Sequence, residues 1–133
     1  MSKAKKYLDL GLAYVELGKY EEAIESYKQA IRIKPDYCSF RCVLGRVYRK
    51  SGKYKEAIDA YKQALRIDPD YKDAHNRLGV AYGELGKYEE AIESYKQVIR
   101  IAPNDRGAHY NLGNAEKAMK DKSGSWWSSL WHD

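Results

Sequence analysis

The chain has 133 residues, of which 44% are hydrophobic and 32% charged, enough for one domain with a continuous core. No apolar run approaches the length of about 20 residues that spans a bilayer, which excludes a transmembrane protein. The net charge of +5 permits acidic partners, but lysine and glutamate are interleaved at helical spacing, which favours a solvated helix face over a nucleic-acid-binding patch.

A 34-residue segment recurs three times without a gap, at residues 4–37, 38–71 and 72–105. A fourth, incomplete copy begins at Arg106. Each full copy contains Leu-Gly, a tyrosine, Gly-Lys-Tyr, an alanine, a second tyrosine and a closing proline; in the first copy these are Leu10-Gly11, Tyr14, Gly18 to Tyr20, Ala23, Tyr27 and Pro35. A fixed period of this length indicates a repeat architecture, whose function usually resides in a surface.

Within each copy, apolar residues at helical spacing predict two antiparallel helices, A and B, separated by Gly-Lys. We expect Asp36, Asp70 and Asn104 to cap the helices that follow them. A glycine stands in the middle of every helix A, where it costs about 1 kcal/mol relative to alanine. We expect these glycines to allow close approach to a small residue of helix B; the pairs are Gly11 with Ala23, Gly45 with Ala57, and Gly79 with Ala91.

These residues resemble the tetratricopeptide repeat (TPR) pattern of an aromatic, Leu-Gly, Tyr, a later Ala, an aromatic and a Pro. The resemblance covers residues 4–105 and implies an all-α, right-handed superhelix of three helix-turn-helix repeats. It also implies a capping helix at residues 106–120. Residues 121–133 form a Trp-rich tail that the TPR pattern does not contain. The first aromatic position of the pattern holds Tyr7 in the first copy. The chain departs from the pattern in the later copies, where this position holds Arg41, His75 and His109.

Two origins fit the near-identity of the copies. Residues 16–29 recur identically at 84–97, and the polar end of the fourth copy is similar to the end cap of designed consensus TPR proteins. An engineered scaffold is one interpretation, and a recently duplicated natural gene is the other.

In TPR proteins helix A lines a concave groove, so the resemblance implies a non-catalytic module that binds a protein or peptide there. The peptide-binding residues implied for this chain are Lys5, Leu8, Leu12, Val15, Cys42, Val43, Arg46, Arg49, Lys50, Asn76, Arg77, Val80, Tyr110 and Asn111. These positions differ between copies, either because the groove binds an asymmetric ligand or because packing does not constrain them.

The predicted groove changes in chemistry along its length. Its first third is apolar, at Leu8, Leu12 and Val15, and its middle is basic, at Arg46, Arg49, Lys50 and Arg77. Because arginine binds carboxylates through two parallel hydrogen bonds, we expect a peptide with an acidic segment beside an apolar one. The alternative is a solvated basic helix end.

One known TPR ligand is not expected to bind. The chaperone-binding members hold a C-terminal Glu-Glu-Val-Asp sequence with a clamp of Lys, Asn, Asn, Lys and Arg. The corresponding positions here hold Leu8, Leu12, Val43, Asp73 and Arg77, so one position out of five matches.

The sequence predicts no catalytic residue, no metal site and no cofactor. His75 and His109 occupy an aromatic position of the repeat, where we expect packing roles. Cys38 and Cys42 lie four residues apart on one helix face, with no further ligands for a metal, and we expect free thiols. Cys42 is expected to face the groove near Arg46 and to react with alkylating agents. Residues 1–6 lack the apolar stretch of a signal peptide, so we expect a cytoplasmic or other intracellular location.

The last eight residues are foreign to the repeat. Trp126 and Leu130, and Trp127 and Trp131, form two pairs at i,i+4 spacing. The segment either covers the apolar face of the last helix, or docks in the groove of a second copy, or has no role in the fold. The second alternative makes these four residues an oligomer contact and the protein a self-assembling scaffold.

Overall fold

The computed structural model describes residues 2–131, and it describes side chains for residues 2–122. Seven helices and no strand are found in residues 2–131; they are α1 (Lys3–Glu16), α2 (Tyr20–Ile33), α3 (Cys38–Lys50), α4 (Tyr54–Ile67), α5 (Lys72–Glu84), α6 (Tyr88–Ile101) and α7 (Arg106–Trp131). Each odd-numbered helix up to α5 packs on the helix that follows it, and α2, α4 and α6 pack on the next helix along the chain. The predicted all-α helical repeat superhelix is confirmed. No helix in the described part of the chain combines the length and apolar character needed to cross a membrane.

The Gly-Lys dipeptides end the A helices. Gly18 has a φ of 74°, in the left-handed region that glycine adopts without strain. The amide of Gly18 donates to Val15 O at 3.0 Å, and the amide of Lys19 donates to Tyr14 O at 2.8 Å. These are the two hydrogen bonds of a Schellman motif, which satisfies the last carbonyls of a helix and reverses the chain. The same motif recurs at Gly52 and Gly86.

The glycines in the middle of the A helices contact a different partner from the one expected. A Cβ placed on Gly11 would lie 2.5 Å from Tyr27 Cε1, and one on Gly79 would lie 2.5 Å from Tyr95 Cε1. Tyr61 covers Gly45 in the same way. The prediction that the glycines face Ala23, Ala57 and Ala91 was therefore wrong: the missing side chain makes room for the tyrosine ring of helix B. The alanines are fully buried beside these rings.

The predicted helix caps were placed one residue too early. The N-cap positions of α3 and α5 are Tyr37 and Tyr71, and neither forms a side-chain capping hydrogen bond. Asp105, at the corresponding position before α7, accepts a hydrogen bond from the amide of Ala108 at 3.0 Å. The loop uses one more residue after Pro-Asp before the helix begins, so Asp36, Asp70 and Asn104 do not cap.

His75 and His109 form polar contacts in place of the expected packing. The Nε2–H of each ring donates to a proline carbonyl at 2.8 Å, Pro69 for His75 and Pro103 for His109. Arg41 makes the same contact with Pro35 O at 2.8 Å. From the second copy onward this repeat position therefore ties helix A to the loop before it, whereas Tyr7 in the first copy packs against the core.

The last helix is longer than the 106–120 expected for the cap. The backbone of α7 remains helical through Trp131. The side chains of Trp126, Trp127, Leu130 and Trp131 lie outside those described, so the three alternatives for this segment remain as they were.

Candidate peptide-binding groove

The A helices α1, α3, α5 and α7 carry the predicted groove residues, and α3 contacts α5 directly. The exposed members are Lys5, Leu12, Arg46, Lys50 and Tyr110. The half-buried members are Leu8, Val15, Val43, Arg49, Asn76, Arg77, Val80 and Asn111. The surface that a ligand can reach is therefore narrower than the sequence suggests.

Most of the apolar end belongs to the core. Leu8, Val15 and Val43 pack against a buried cluster that includes Ile24 and Tyr27. Leu12 is 53% exposed and presents the accessible apolar surface at this end. At the other end Tyr110, which is 71% exposed, adds an aromatic ring that a ligand can cover.

Cys42 does not face the groove. Its side chain is 2% exposed and packs in a core cluster with Tyr61, Ala74 and Leu78. Burial raises the pKa of its thiol to about 12, so the reactive thiolate is suppressed at neutral pH. The expectation that Cys42 faces the groove was wrong, because its side chain packs between α4 and α5. This burial argues against the expected reactivity with alkylating agents.

The basic middle of the groove is partly neutralised by carboxylates of the chain. Arg49 Nε lies 2.7 Å from Glu84 Oε1, and Arg77 Nε lies 3.0 Å from Asp73 Oδ2. Arg46 and Lys50 are exposed, and neither forms an ion pair among the described residues. Of the four predicted cations, these two remain available to an incoming carboxylate. No feature of the sequence pattern identified Glu84 as a partner of Arg49, because 35 residues separate them.

A small cavity of about 160 Å³ lies among α3, α4 and α5, lined by Arg49, Tyr61, Asp73, Asn76, Arg77 and Val80. The Tyr61 hydroxyl and Asn76 Oδ1 are fully buried and have no hydrogen-bonding partner within the described chain. Burial raises the pKa of Tyr61 to about 12, so its hydroxyl stays protonated and can donate. Buried polar atoms usually have a hydrogen-bonding partner. A polar group of a ligand that bonds to these two atoms would supply the missing partner, which favours binding of such a group here.

The residue pattern of most of the chain matches one family. Family models described as "TPR repeat" match residues 11–48 and 45–86, and one described as "Tetratricopeptide repeat" matches residues 73–105. The chain belongs to the tetratricopeptide repeat family. None of the curated proteins compared with the chain matches it.

Solved TPR domains have the same fold. The first TPR of Spaghetti (RPAP3), bound to the HSP90 peptide SRMEEVD, is 28% identical over 88% of this chain and 95% of that one, with a TM-score of 0.80. The second TPR domain of human RPAP3, in complex with the HSP70 peptide SGPTIEEVD, is 31% identical over 85% and 94%, with a TM-score of 0.77. The Sgt2 TPR domain from Aspergillus fumigatus is 25% identical over 92% and 83%, with a TM-score of 0.83.

Proposed function

We propose that this TPR chain is a non-catalytic, intracellular peptide-binding module whose groove takes an extended or helical acidic segment beside an apolar one. The observation that supports this most is the pair of exposed cations on α3, Arg46 and Lys50, without carboxylate partners among residues 2–122. Two similar solved TPR domains are bound to acidic peptides, which supports an acidic ligand in general. Both of those peptides end in Glu-Glu-Val-Asp, for which this chain lacks four of the five clamp residues, so a different acidic sequence is proposed here.

The arrangement of charges suggests an order of contacts. Arg46 meets the ligand first, because it is exposed and unpaired. Arg49 and Arg77 become available only when a ligand carboxylate displaces Glu84 or Asp73. This exchange replaces one ion pair with another, so it contributes to selectivity more than to affinity. Leu12 lies on the neighbouring A helix, where an apolar ligand residue would cover it.

Screening a synthetic peptide array of Asp/Glu-rich sequences with and without flanking Leu or Phe tests this proposal. The strongest binders would be measured again in solution by calorimetry. Arg46→Glu should weaken them at least tenfold, because a ligand carboxylate would then face a like charge. Arg66→Glu makes the same charge change at an exposed position of α4 and is the matched control. Equal affinity for wild type and Arg46→Glu, or an equal loss in Arg66→Glu, contradicts the proposal.

Arg46→Glu is a sharper probe than Arg49→Glu. The Arg49 side chain is bound to Glu84, so a glutamate at position 49 would place two carboxylates together and disturb α3 against α5. An effect of that variant could come from the fold and not from the groove.

The alternative function is a self-assembling scaffold. The helical backbone of α7 through Trp131 supports it, because Trp126 and Leu130, and Trp127 and Trp131, then share helix faces. Sedimentation velocity of the full chain and of a chain ending at residue 120 distinguishes the two functions. A monomer in both cases removes the scaffold.

A further inference from the structure

The same repeat positions line a cleft in each of the three copies. The residues are Leu10, Tyr14, Glu22 and Glu25 in the first copy, Leu44, Tyr48, Glu56 and Asp59 in the second, and Leu78, Tyr82, Glu90 and Glu93 in the third. The second and third clefts have another wall, which comes from helix B of the preceding copy: Lys28, Ile31 and Arg32 in one, Lys62 and Leu65 in the other. In the described chain the first cleft has no such wall.

Exposure of the leucines shows the effect of the missing wall. Leu44 is 8% exposed and Leu78 is 5% exposed, because α2 and α4 cover them. Leu10, at the same repeat position, is 43% exposed, and Leu17, about two turns further along the same side of α1, is 69% exposed. Together with Ala13, these two leucines form an apolar strip, and Glu22 and Glu25 lie at its border. We call the strip and its acidic border the N-terminal face.

The internal clefts also indicate which charge a helix docked at the first cleft should carry. Lys28 and Arg32 line the same cleft as Glu56 and Asp59. Lys62 lines the next cleft together with Glu90 and Glu93. In both clefts a basic residue of helix B precedes a branched aliphatic residue by three positions, Lys28 with Ile31 and Lys62 with Leu65.

At the N-terminal face the acidic side is present without the basic side. The described lining of the first cleft contains Glu22 and Glu25 but no lysine or arginine. The carboxylates of the internal clefts, like these two, form no ion pair within residues 2–122, so what distinguishes the first cleft is the absence of a basic residue from its lining. The face is complementary to a helix that combines a cation with an aliphatic residue three positions later, because such a helix would cover Leu10 and place a positive charge beside the two carboxylates.

We propose that the N-terminal face docks an amphipathic helix of a partner protein that carries Lys or Arg followed three residues later by Ile or Leu. The face is separate from the groove: Leu10 and Leu12 are two residues apart and so lie on nearly opposite sides of α1. The chain could therefore hold a groove peptide and a partner helix at the same time.

The probe is a synthetic helical peptide with the sequence of residues 20–35, whose Lys28 and Ile31 form the wall of the next cleft. Fluorescence anisotropy of the labelled peptide with the full chain should show binding that Leu10→Lys weakens at least tenfold. Leu10 is on the surface, so this variant should keep its melting temperature. Arg46→Glu, in the groove, should bind the peptide as wild type does. Absence of binding to wild type overturns the proposal.

A charge exchange tests the acidic border. A peptide with Lys28→Glu should bind wild type weakly and should regain affinity for the Glu25→Lys protein. Failure of the second variant to recover binding contradicts the proposed orientation of the helix. Sedimentation velocity of the chain alone gives the remaining outcome: a dimer that Leu10→Lys dissociates would assign the face to a second copy and overturn its assignment to a partner helix.

Discussion

The ring of Tyr95 lies against Gly79 so closely that a Cβ on this glycine would stand 2.5 Å from Tyr95 Cε1. Alanine at position 79 gains about 1 kcal/mol of helix propensity but forces this buried ring to move. Overpacking of a well-packed core costs about 1–3 kcal/mol. The cost less the gain predicts that Gly79→Ala destabilises the fold by up to about 2 kcal/mol, as measured by urea denaturation.

Gly83 supplies the matched control, because it lies in the same helix, α5, and a Cβ there would meet nothing within 4 Å. Gly83→Ala should stabilise the protein by up to about 1 kcal/mol. Opposite signs at positions 79 and 83 are the expected result. Stabilisation by both substitutions would show that the Tyr95 ring does not require a glycine beneath it.

Ala57 tests the packing of helix B against helix A. Its side chain is fully buried in the cluster that contains Tyr61 and Leu78. Ala57→Leu inserts three carbon atoms into this cluster, and we expect a loss of about 1–3 kcal/mol. Ala13→Leu is the same change at an exposed position of α1 and should alter the free energy of unfolding by less than about 0.5 kcal/mol. Wild-type thermal stability of the Ala57 variant would contradict the packing described.

Cys42 should be protected from alkylation in the native state. Burial raises the pKa of its thiol to about 12 and also blocks access to the sulfur. We expect iodoacetamide at pH 8 to modify Cys42 only after guanidinium is added, as followed by mass spectrometry. The Cys38→Ser variant isolates the signal of Cys42. Complete modification of that variant without denaturant would show that position 42 opens to solvent.

Asp105 should stabilise α7 in a pH-dependent way. The hydrogen bond from the Ala108 amide and the contact with Lys72 lower the pKa of this carboxyl below its ordinary value of 3.8. A carboxyl whose pKa is lower in the folded state stabilises the fold above its ordinary pKa, and the contribution disappears as pH falls through the folded value.

We therefore expect Asp105→Ala to lower the melting temperature at pH 7, with a difference from wild type that shrinks below about pH 4. Asp36→Ala is the control, since Asp36 does not cap α3. A loss in the Asp36 variant equal to that at Asp105 would reverse the assignment of the cap.

Peptides that end in Glu-Glu-Val-Asp should not bind measurably by calorimetry. Asp73 repels their carboxylates, and its carboxylate already pairs with Arg77. A variant that combines Leu8→Lys, Leu12→Asn, Val43→Asn and Asp73→Lys restores the residue types of the chaperone-binding members. It should gain affinity if circular dichroism shows it folded. Micromolar binding by the wild-type chain would refute the prediction.

Much of the fold follows from the repeat, because many repeated residues meet the same environment in every full copy. Gly18, Gly52 and Gly86 illustrate this, since each ends its helix with the same two hydrogen bonds. The wrong predictions concern features that depend on the length of a loop to within one residue, or on how far a helix is rotated about its axis. The cap at Asp105 is an example of the first, and the burial of Cys42 is an example of the second.

The sequence by itself determined the helical hairpins, their number and their order of stacking, because a 34-residue period with fixed apolar positions has few ways to bury its core. Only the tertiary structure decided which polar groups the groove offers. The contact of Arg49 with Glu84 joins two helices, and it depends on how far each is rotated about its axis. Such contacts lie far apart in the chain, and no local pattern encodes them. The exposure of Leu10 is of the same kind, because the residue repeats in every copy while its cover does not.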